Sequence, residues 1–503
     1  MNRLILVALA ATLLGGAPAK AAEVILVKGD RAVRMNDPSV PTKAEIVLGP
    51  LEHAGATTAR AGSSAGLRSR AGARPRADRR AVYRALRRRT LDAAETRRWR
   101  RSYVGALRTY RRLRGARRQQ LGYVIDSVEA LALAGRLSPT RMPSAFVQLE
   151  RNRRYWPSLP YPAAGDQVSF RGSEILYQYF PGEGLQLHPL STFKKANFMH
   201  GECERGEPAC DEAGLRRLLD EMESLAVRRS PRFIAWEYAF AFGGGSPPWM
   251  SGMAQATGIQ ALARAAKLLG EPRYLDIARE ALGAFETLPP TGVRTTGPAG
   301  GVHYLQYSFA PRLYIFNAFL QSLIGLYDLG RLADDARATE LFREAEPEAR
   351  EELPLSDVGD WSRYHYAGAE STREYHELLR ELLQSMCSRR LGKLYCDFAA
   401  RYLGYQVDPP ELLYTGPQDG AENELLGLRF TVSKLSAVEV RVLRGSKLVF
   451  SRLATVRRGT GAFAWRPRGP GLFTVELAAK ELRTGLGKKD RASAEVEVAN
   501  APG

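Results

Sequence analysis

Two periods of apolar residues divide this chain. From 252 to about 405, apolar positions recur every three or four residues. That spacing predicts helices over 253–269, 274–288, 317–329 and 333–349, joined by short turns. Gly270 and Gly330 fall where helix C-caps are expected. After Pro409-Pro410 the period drops to two. Segments 428–432, 437–443, 448–453, 461–465, 472–477 and 492–498 alternate and are separated by Gly-, Ser- or Lys-rich turns, which predicts six or seven short strands. Upstream, Trp99, Tyr103, Leu107, Tyr110 and Leu113 predict a helix with arginines on its other faces. Residues 155–200 are rich in aromatics, Gly and Pro and predict short strands and loops. Two strand-like runs flank Gly29-Asp30, the signal for a small hairpin.

The pattern predicts a multidomain, mainly α chain. A signal peptide (1–22), a hairpin segment (23–54), a flexible linker (55–77) and a basic helical region (78–150) come first. Serial helical hairpins then suggest an α/α toroid or barrel-like domain over 151–408. An Ig-like β-sandwich is expected over 409–503.

Charge sharpens this division. The 503 residues carry a net charge of +19. Between 60 and 118, 21 arginines face three acids, Asp78, Asp92 and Glu95. The remainder is therefore nearly neutral, which removes the usual charge argument for a specific nucleic-acid-binding fold. The arginine run fits contact with an anionic wall polymer, membrane surface or acidic glycan, or a merely solvated basic face. No internal apolar run is long enough for a polytopic membrane protein. Arg3, the apolar stretch 4–14 and Ala17-Pro18-Ala19 or Ala19-Lys20-Ala21 read as a secretory signal. A secreted or envelope-associated protein is expected. In an oxidising compartment the two close cysteine pairs, Cys203/Cys210 and Cys387/Cys396, favour two local disulfides. A zinc site using all four is the alternative, but the spacings are wide for it.

Much familiar chemistry is missing. There is no H-E-x-x-H zinc motif, no phosphate loop and no nucleophile-elbow serine. The six histidines are scattered. Tyr307, Tyr364, Tyr366 and Tyr375 fall in polar stretches between predicted helices. A tyrosine becomes a base only where a neighbour lowers its pKa of about 10.

Two stretches carry a resemblance. Ser246-Pro-Pro-Trp-Met-Ser-Gly-Met-Ala-Gln255 resembles the Pro-Trp-Val-Ser-Gly-Met-Ala-Gln signature of the D-glucuronyl C5-epimerase family. Phe316-Asn-Ala-Phe-Leu-Gln-Ser-Leu-Ile-Gly-Leu-Tyr-Asp-Leu329 resembles that family's Asn-Gly-Phe-Met-Tyr-Ser-Leu-Ile-Gly-Leu-Tyr-Asp-Leu. The likeness runs from about Trp236 to Leu383. It implies a C-terminal α/α barrel, no cofactor, and inversion at C5 of a uronic acid within an acidic polysaccharide. The family's catalytic tyrosines fall on Tyr307, ten residues before Asn317, on Tyr364, five after Asp357-Val358-Gly359, and on Tyr375 in Glu374-Tyr375-His376. Gln255, Asn317 and His376 become candidate substrate-binding residues. Two positions depart from the family: its glutamate before the first tyrosine is Gln306 here, and its arginine three residues after the second is Ala367. Arg312, Arg363 and Arg373 are local candidates to pair with the substrate carboxylate instead.

The implied reaction explains such residues. Removing the C5 hydrogen beside a carboxylate creates an enediolate, whose added charge needs cationic or hydroxyl donors. An acid on the opposite ring face must then return a proton. A uronate lyase begins with the same abstraction and is the alternative enzyme. A weakened glycan-binding or wall-associated protein is the non-enzyme alternative.

Overall fold

The computed structural model describes residues 22–42, 76–88 and 91–501. The expected signal peptide, apart from its last residue, and the linker, apart from its last two, lie outside these. The described residues divide into two compact units. One takes the residues up to Trp249 together with Thr257–Ala281; the other takes Met250–Ala256 and the chain from Leu282 onward.

In the first unit, β1 (Ala22–Lys28) and β2 (Arg31–Asp37) pair antiparallel around Gly29, whose φ of 66° suits the tight turn. β1 also runs parallel to β3 (Gln167–Phe170). With β4 (Tyr177–Phe180) and β5 (Gly184–Leu187) they form a five-stranded sheet of order β2-β1-β3-β4-β5. The hairpin is thus the edge of a sheet built partly from the aromatic segment. Short strands β6 (Val227–Ser230), β7 (Phe233–Ala235), β8 (Glu237–Tyr238) and β9 (Trp249–Met250) come later in the chain.

Helices α1 (Arg76–Leu86), α2 (Ala93–Arg112), α3 (Gly115–Leu133) and α4 (Met142–Tyr155) lie between β2 and β3 in sequence. In α2 the stripe Trp99, Tyr103, Ala106, Leu107 and Tyr110 is buried, and Asp92 caps the helix by accepting the Glu95 N–H at 2.6 Å. Asn152 of α4 joins helix to sheet: its Oδ1 accepts from the Trp156 indole (2.8 Å) and the Leu185 N–H (2.9 Å), and its Nδ2 donates to the Leu185 carbonyl (2.7 Å). α5 (Pro189–Glu204) is capped by His188, whose Nδ1 accepts the Ser191 N–H at 3.1 Å. The Cys203–Cys210 disulfide links the end of α5 to the approach to α6 (Glu212–Ser224).

α7 (Gly252–Leu269) starts at the family-like Ser251-Gly252 and ends before Gly270, whose φ of 66° fits the expected cap. α8 (Arg273–Ala281) follows. In the second unit β10 (Arg294–Thr296) and β11 (Val302–Tyr304) form a two-stranded sheet. α9 (Phe316–Ala333) is buried on nearly every face and packs against both α10 (Ala336–Glu352) and α11 (Arg373–Ser388). Gly330 is not the expected C-cap. α9 runs through it to Ala333, and Asp334 (φ 49°) ends the helix. A Cβ on Gly330 would collide with the Thr339 hydroxyl of α10, so this glycine serves close packing. Cys387–Cys396 ties α11 to α12 (Lys393–Val407). Both disulfides expected from the sequence are therefore present.

The rest of this unit is β: β12 (Leu412–Tyr414), β13 (Asp419–Ala421), β14 (Leu426–Val432), β15 (Ser436–Arg444), β16 (Lys447–Val456), β17 (Gly459–Trp465), β18 (Gly471–Glu481) and β19 (Lys489–Ala499). They make sheets of order β12-β14-β17 and β13-β19-β18-β15-β16. Leu428, Phe430 and Trp465 from one and Val440, Val475 and Val496 from the other share an apolar core. Lys434 reaches from the β14–β15 turn to the end of α12. Its Nζ donates to the carbonyls of Gly404 (3.1 Å), which also accepts the Asp408 N–H, Tyr405 (3.0 Å) and Asp408 (2.6 Å).

The expected fold class needs correction. The described residues are about 44% helical and 25% strand, with multiple small sheets. A mainly α chain with a helical toroid and an Ig-like sandwich gives way to mixed α and β structure. Two physical reasons account for the error. Strands of two to four residues, such as β3 to β11, are too short to show a period. Alternation also places strands without naming their partners, and here β13 pairs parallel with β19.

Candidate active site

Tyr307 follows β11. The segment carrying it is zipped to the start of α7: Gly252 N–H donates to the Leu305 carbonyl (3.1 Å), Ser308 N–H to the Met250 carbonyl (3.0 Å), and Met250 N–H to the Ser308 Oγ (3.1 Å). A Cβ at Gly252 would strike the Leu305 carbonyl oxygen, so the Ser-Gly of the motif is a close-approach requirement. Ser251 Oγ accepts the Ala254 N–H at 3.1 Å, capping α7, and donates to Gln306 Oε1 at 3.3 Å. Gln306 at the family's glutamate position is thus a buried acceptor. Tyr307 is 1% exposed and stacks on Phe309 at 5.4 Å. Gln255, in the first turn of α7, is also buried.

A buried polar cluster holds the strand leading to Tyr307. His303 Nδ1 lies 2.7 Å from Glu352 Oε1 of α10, and Glu348 accepts the N–H groups of Ala299 (2.8 Å) and Gly301 (2.7 Å). Burial, together with neighbouring Glu348, pushes the Glu352 carboxyl up to about 9. Burial pushes His303 down to about 3. The pair is therefore neutral at pH 7. Scattered histidines gave no sequence signal for it.

Tyr364 and Tyr375 come together from a loop and from the first turn of α11. Their ring centroids are 4.5 Å apart, and both residues are buried. Thr372 caps α11 by accepting the Tyr375 N–H at 3.4 Å. Asn317 Nδ2, at the start of α9, donates to the Tyr375 carbonyl at 3.2 Å, so three sequence candidates share one locus. Burial, then hydrogen-bonded Tyr364, holds the Tyr375 hydroxyl far above the ordinary tyrosine range. Tyr375 is therefore a donor, not a resting base.

His376 has both ring nitrogens engaged, Nδ1 with Ser362 Oγ (2.8 Å) and Nε2 with the Tyr402 carbonyl (3.1 Å). It stacks on Trp361 at 3.7 Å, and burial pushes its pKa down to about 4. The geometry makes it a support beneath Tyr375. Asp357 accepts the Gly359 N–H at 2.7 Å, where Gly359 has φ 88°; this turn explains the Asp-x-Gly spacing. Ala367 is exposed at φ 54°, a strained value for alanine, in a turn closed by Gly368 N–H to the His365 carbonyl. Of its proposed substitutes, Arg363 donates to the Gly368 carbonyl (2.8 Å), and Arg373 binds Glu377 and the Thr484 carbonyl (both 2.7 Å). Arg312 is exposed and is the one of the three with no hydrogen-bond partner among the described residues.

The Tyr364 loop has a brace that sequence reasoning missed. Arg483, after β18, meets Asp360 at 3.1 Å and Glu370 at 2.9 Å, and its guanidinium lies 5.7 Å from the Trp361 ring centroid. Leu435 N–H donates to Asp360 at 3.0 Å. No local pattern marks partners more than a hundred residues apart.

Residues 229–404 match the family model described as D-glucuronyl C5-epimerase C-terminus. This segment belongs to that family. D-glucuronyl C5-epimerase of Caenorhabditis elegans is 31% identical over 178 residues, 32% of this chain and 29% of that protein. An uncharacterized protein of Methanocaldococcus jannaschii is 26% identical over 176 residues, 34% of this chain and 57% of that protein. The match thus spans under two thirds of either relative. A solved sugar epimerase from a ruminal bacterium compares at a TM-score of 0.31 and 11% identity, covering 44% of this chain and 60% of that one; such a likeness carries no argument. The epimerase-family segment contains Tyr307, Tyr364 and Tyr375 and ends before the β region that supplies Arg483.

Proposed function

We propose that this protein is an exported epimerase that inverts C5 of uronic acid residues in an acidic polysaccharide. The observation that carries the reading is the Tyr364–Tyr375 pair, tied to Asn317 inside the epimerase-family segment. Tyr375, held protonated by burial and by Tyr364, is the donor of the pair and Tyr364 its acceptor. Tyr364 takes the C5 proton, the electron pair moves into the carboxylate, and Tyr307 returns a proton to C5 from the other face. Exchange with water resets both tyrosines. Arg312 neutralises the enediolate charge. The two disulfides favour an oxidising compartment, in keeping with export.

Uronate polysaccharides incubated in heavy water and followed by NMR at C5 test this. Deuterium at inverted C5 is expected. An unsaturated, ultraviolet-absorbing product would assign a lyase instead. Ala367, exposed where the family has arginine, favours one further reading, glycan binding without turnover; binding with no C5 exchange would establish it.

A further inference from the structure

The first unit holds a basic cavity of about 490 Å³ between α2 and α4, a size usual for small-molecule sites. Five arginines line it: Arg98 and Arg101 from α2, and Arg151, Arg153 and Arg154 from α4. One carboxylate, Glu150, accompanies them and is held by Arg153 (2.7 Å) and Arg154 (2.8 Å). Neither Arg98 nor Arg101 has a carboxylate partner among the described residues. A solvated basic face spreads its charges outward over a convex helix. Here exposed Arg98 and Arg101 stand at one concavity beside the pair that Glu150 holds, a place where an anion would offset their repulsion.

The floor of the cavity points the same way. Gly105 lets Arg153 lie across α2; a Cβ there would sit 3.2 Å from Arg153 Cδ. Trp99 lines the cavity, stacks on Phe146 at 5.5 Å and lies under the Arg98 guanidinium at 4.5 Å. Its indole N–H is buried without an acceptor. The Ser102 side chain adds a hydroxyl to the lining. The inventory is two planar forks without a carboxylate, those of Arg98 and Arg101, one hydroxyl and an aromatic wall; Arg153 and Arg154 hold Glu150, and Arg151 lies over Phe170 at 4.7 Å. Guanidinium forks match carboxylates in bidentate fashion. The Ser102 hydroxyl matches a sugar hydroxyl, and the Trp99 ring matches a sugar face.

We propose that this cavity is a second binding site that holds a carboxylated sugar residue of an anionic glycan, apart from the tyrosine site. The choice of uronate rests on the activity proposed above; the anion site itself does not. A flat anionic membrane does not fill a concavity, and a lone phosphate leaves the Trp99 wall unmatched.

The test uses the full chain and an oligoglucuronate of defined length, measured by calorimetry. Its carboxyl-reduced form, inorganic phosphate and phosphatidylglycerol vesicles serve as comparison probes. Arg98→Ala with Arg101→Ala should weaken oligoglucuronate binding at this site by about tenfold or more. The corresponding lysine pair should restore only part, because an ammonium lacks the fork. C5 exchange on a disaccharide substrate should be unchanged in both, with melting temperature unchanged or raised. Unaltered binding, complete rescue by lysine, equal binding of the reduced oligosaccharide, phosphate or vesicles, or a clear fall in melting temperature would each overturn the site. Arginine-dependent binding without any C5 exchange by the wild type would uphold the cavity and remove the epimerase reading.

Discussion

The two segments that present candidate tyrosines share main-chain support and differ in what is added to it. Residues 305–308 are fixed by main-chain hydrogen bonds to 250–252 and by a glycine that allows the strands to touch. The loop from 357 to 371 also has main-chain bonds, Arg363 N–H to Ser356, Tyr364 N–H to Ala369, Ser371 N–H to Ser362 and Tyr366 N–H to Tyr314, but side chains add a second set: Arg483 on Asp360 and Glu370, Ser362 on His376, and Trp361 against that ring. The first kind of support lies within the epimerase-family segment. The second is shared with a β region beyond it. A family boundary in sequence is therefore not the boundary of the parts that hold its site.

If both segments serve one proton transfer, Tyr364→Phe and Tyr307→Phe should each lower C5 deuterium exchange by about 10²–10⁴-fold with little change in melting. The double variant should fall far short of the product of the two losses. Full exchange in either folded single variant removes that tyrosine from the mechanism.

Arg483→Ala removes a half-buried cation from buried Asp360 and leaves exposed Glu370 with Arg457 alone. It should cost about 3 kcal/mol in thermal or denaturant unfolding. Hydrogen exchange should quicken over 357–371 and not over 305–308. Equal quickening of both segments would erase the contrast drawn here.

Gly252→Ala is the reciprocal variant. Its methyl group meets the Leu305 carbonyl, so a loss of about 1–3 kcal/mol is expected. Amide protection should fall over 305–308 while the Tyr364 loop keeps its own. A neutral effect on both stability and protection would show that the close approach is not required.

The smallest effect is in pH. His303 and His376 have lowered pKa values in the fold, about 3 and 4. Their contribution is present above the unfolded value of about 6.5 and is lost as pH falls toward the folded ones. Glu352 has the opposite sign. Raised to about 9, its contribution is full below the unfolded carboxyl pKa and is lost as pH rises toward 9. Acid should loosen both segments, and mild alkali only the one leading to Tyr307. Glu352→Gln should abolish the alkaline limb in melting curves; its persistence would assign that limb elsewhere.

The particular residues show what the sequence could disclose. Asp357-Val358-Gly359 and Ser251-Gly252 were readable because each encodes a local turn or a close approach. Strand positions after 412 were readable from alternation, but their pairing was not, since a strand's faces say nothing of its neighbour. Gly330 was misread because a glycine that ends a helix and one that admits a second helix look alike. His376 was legible as part of a triplet, yet its role depends on Trp361 and Tyr402. Arg483 was one arginine among many.

Lys434 carries a consequence for how the chain is made. The carbonyls of Tyr405 and Asp408 meet the Lys434 ammonium 29 and 26 residues later, and that of Gly404, already bonded to the Asp408 N–H, gains it as a second donor. On a ribosome, that last turn emerges well before the ammonium that completes it. The Asp408 N–H can close it at Gly404, but the ammonium arrives only once β14 has been translated. Tyr402, whose carbonyl meets His376, lies just upstream. The footing of the candidate site is thus set late in synthesis, by a residue that the growing chain has yet to expose.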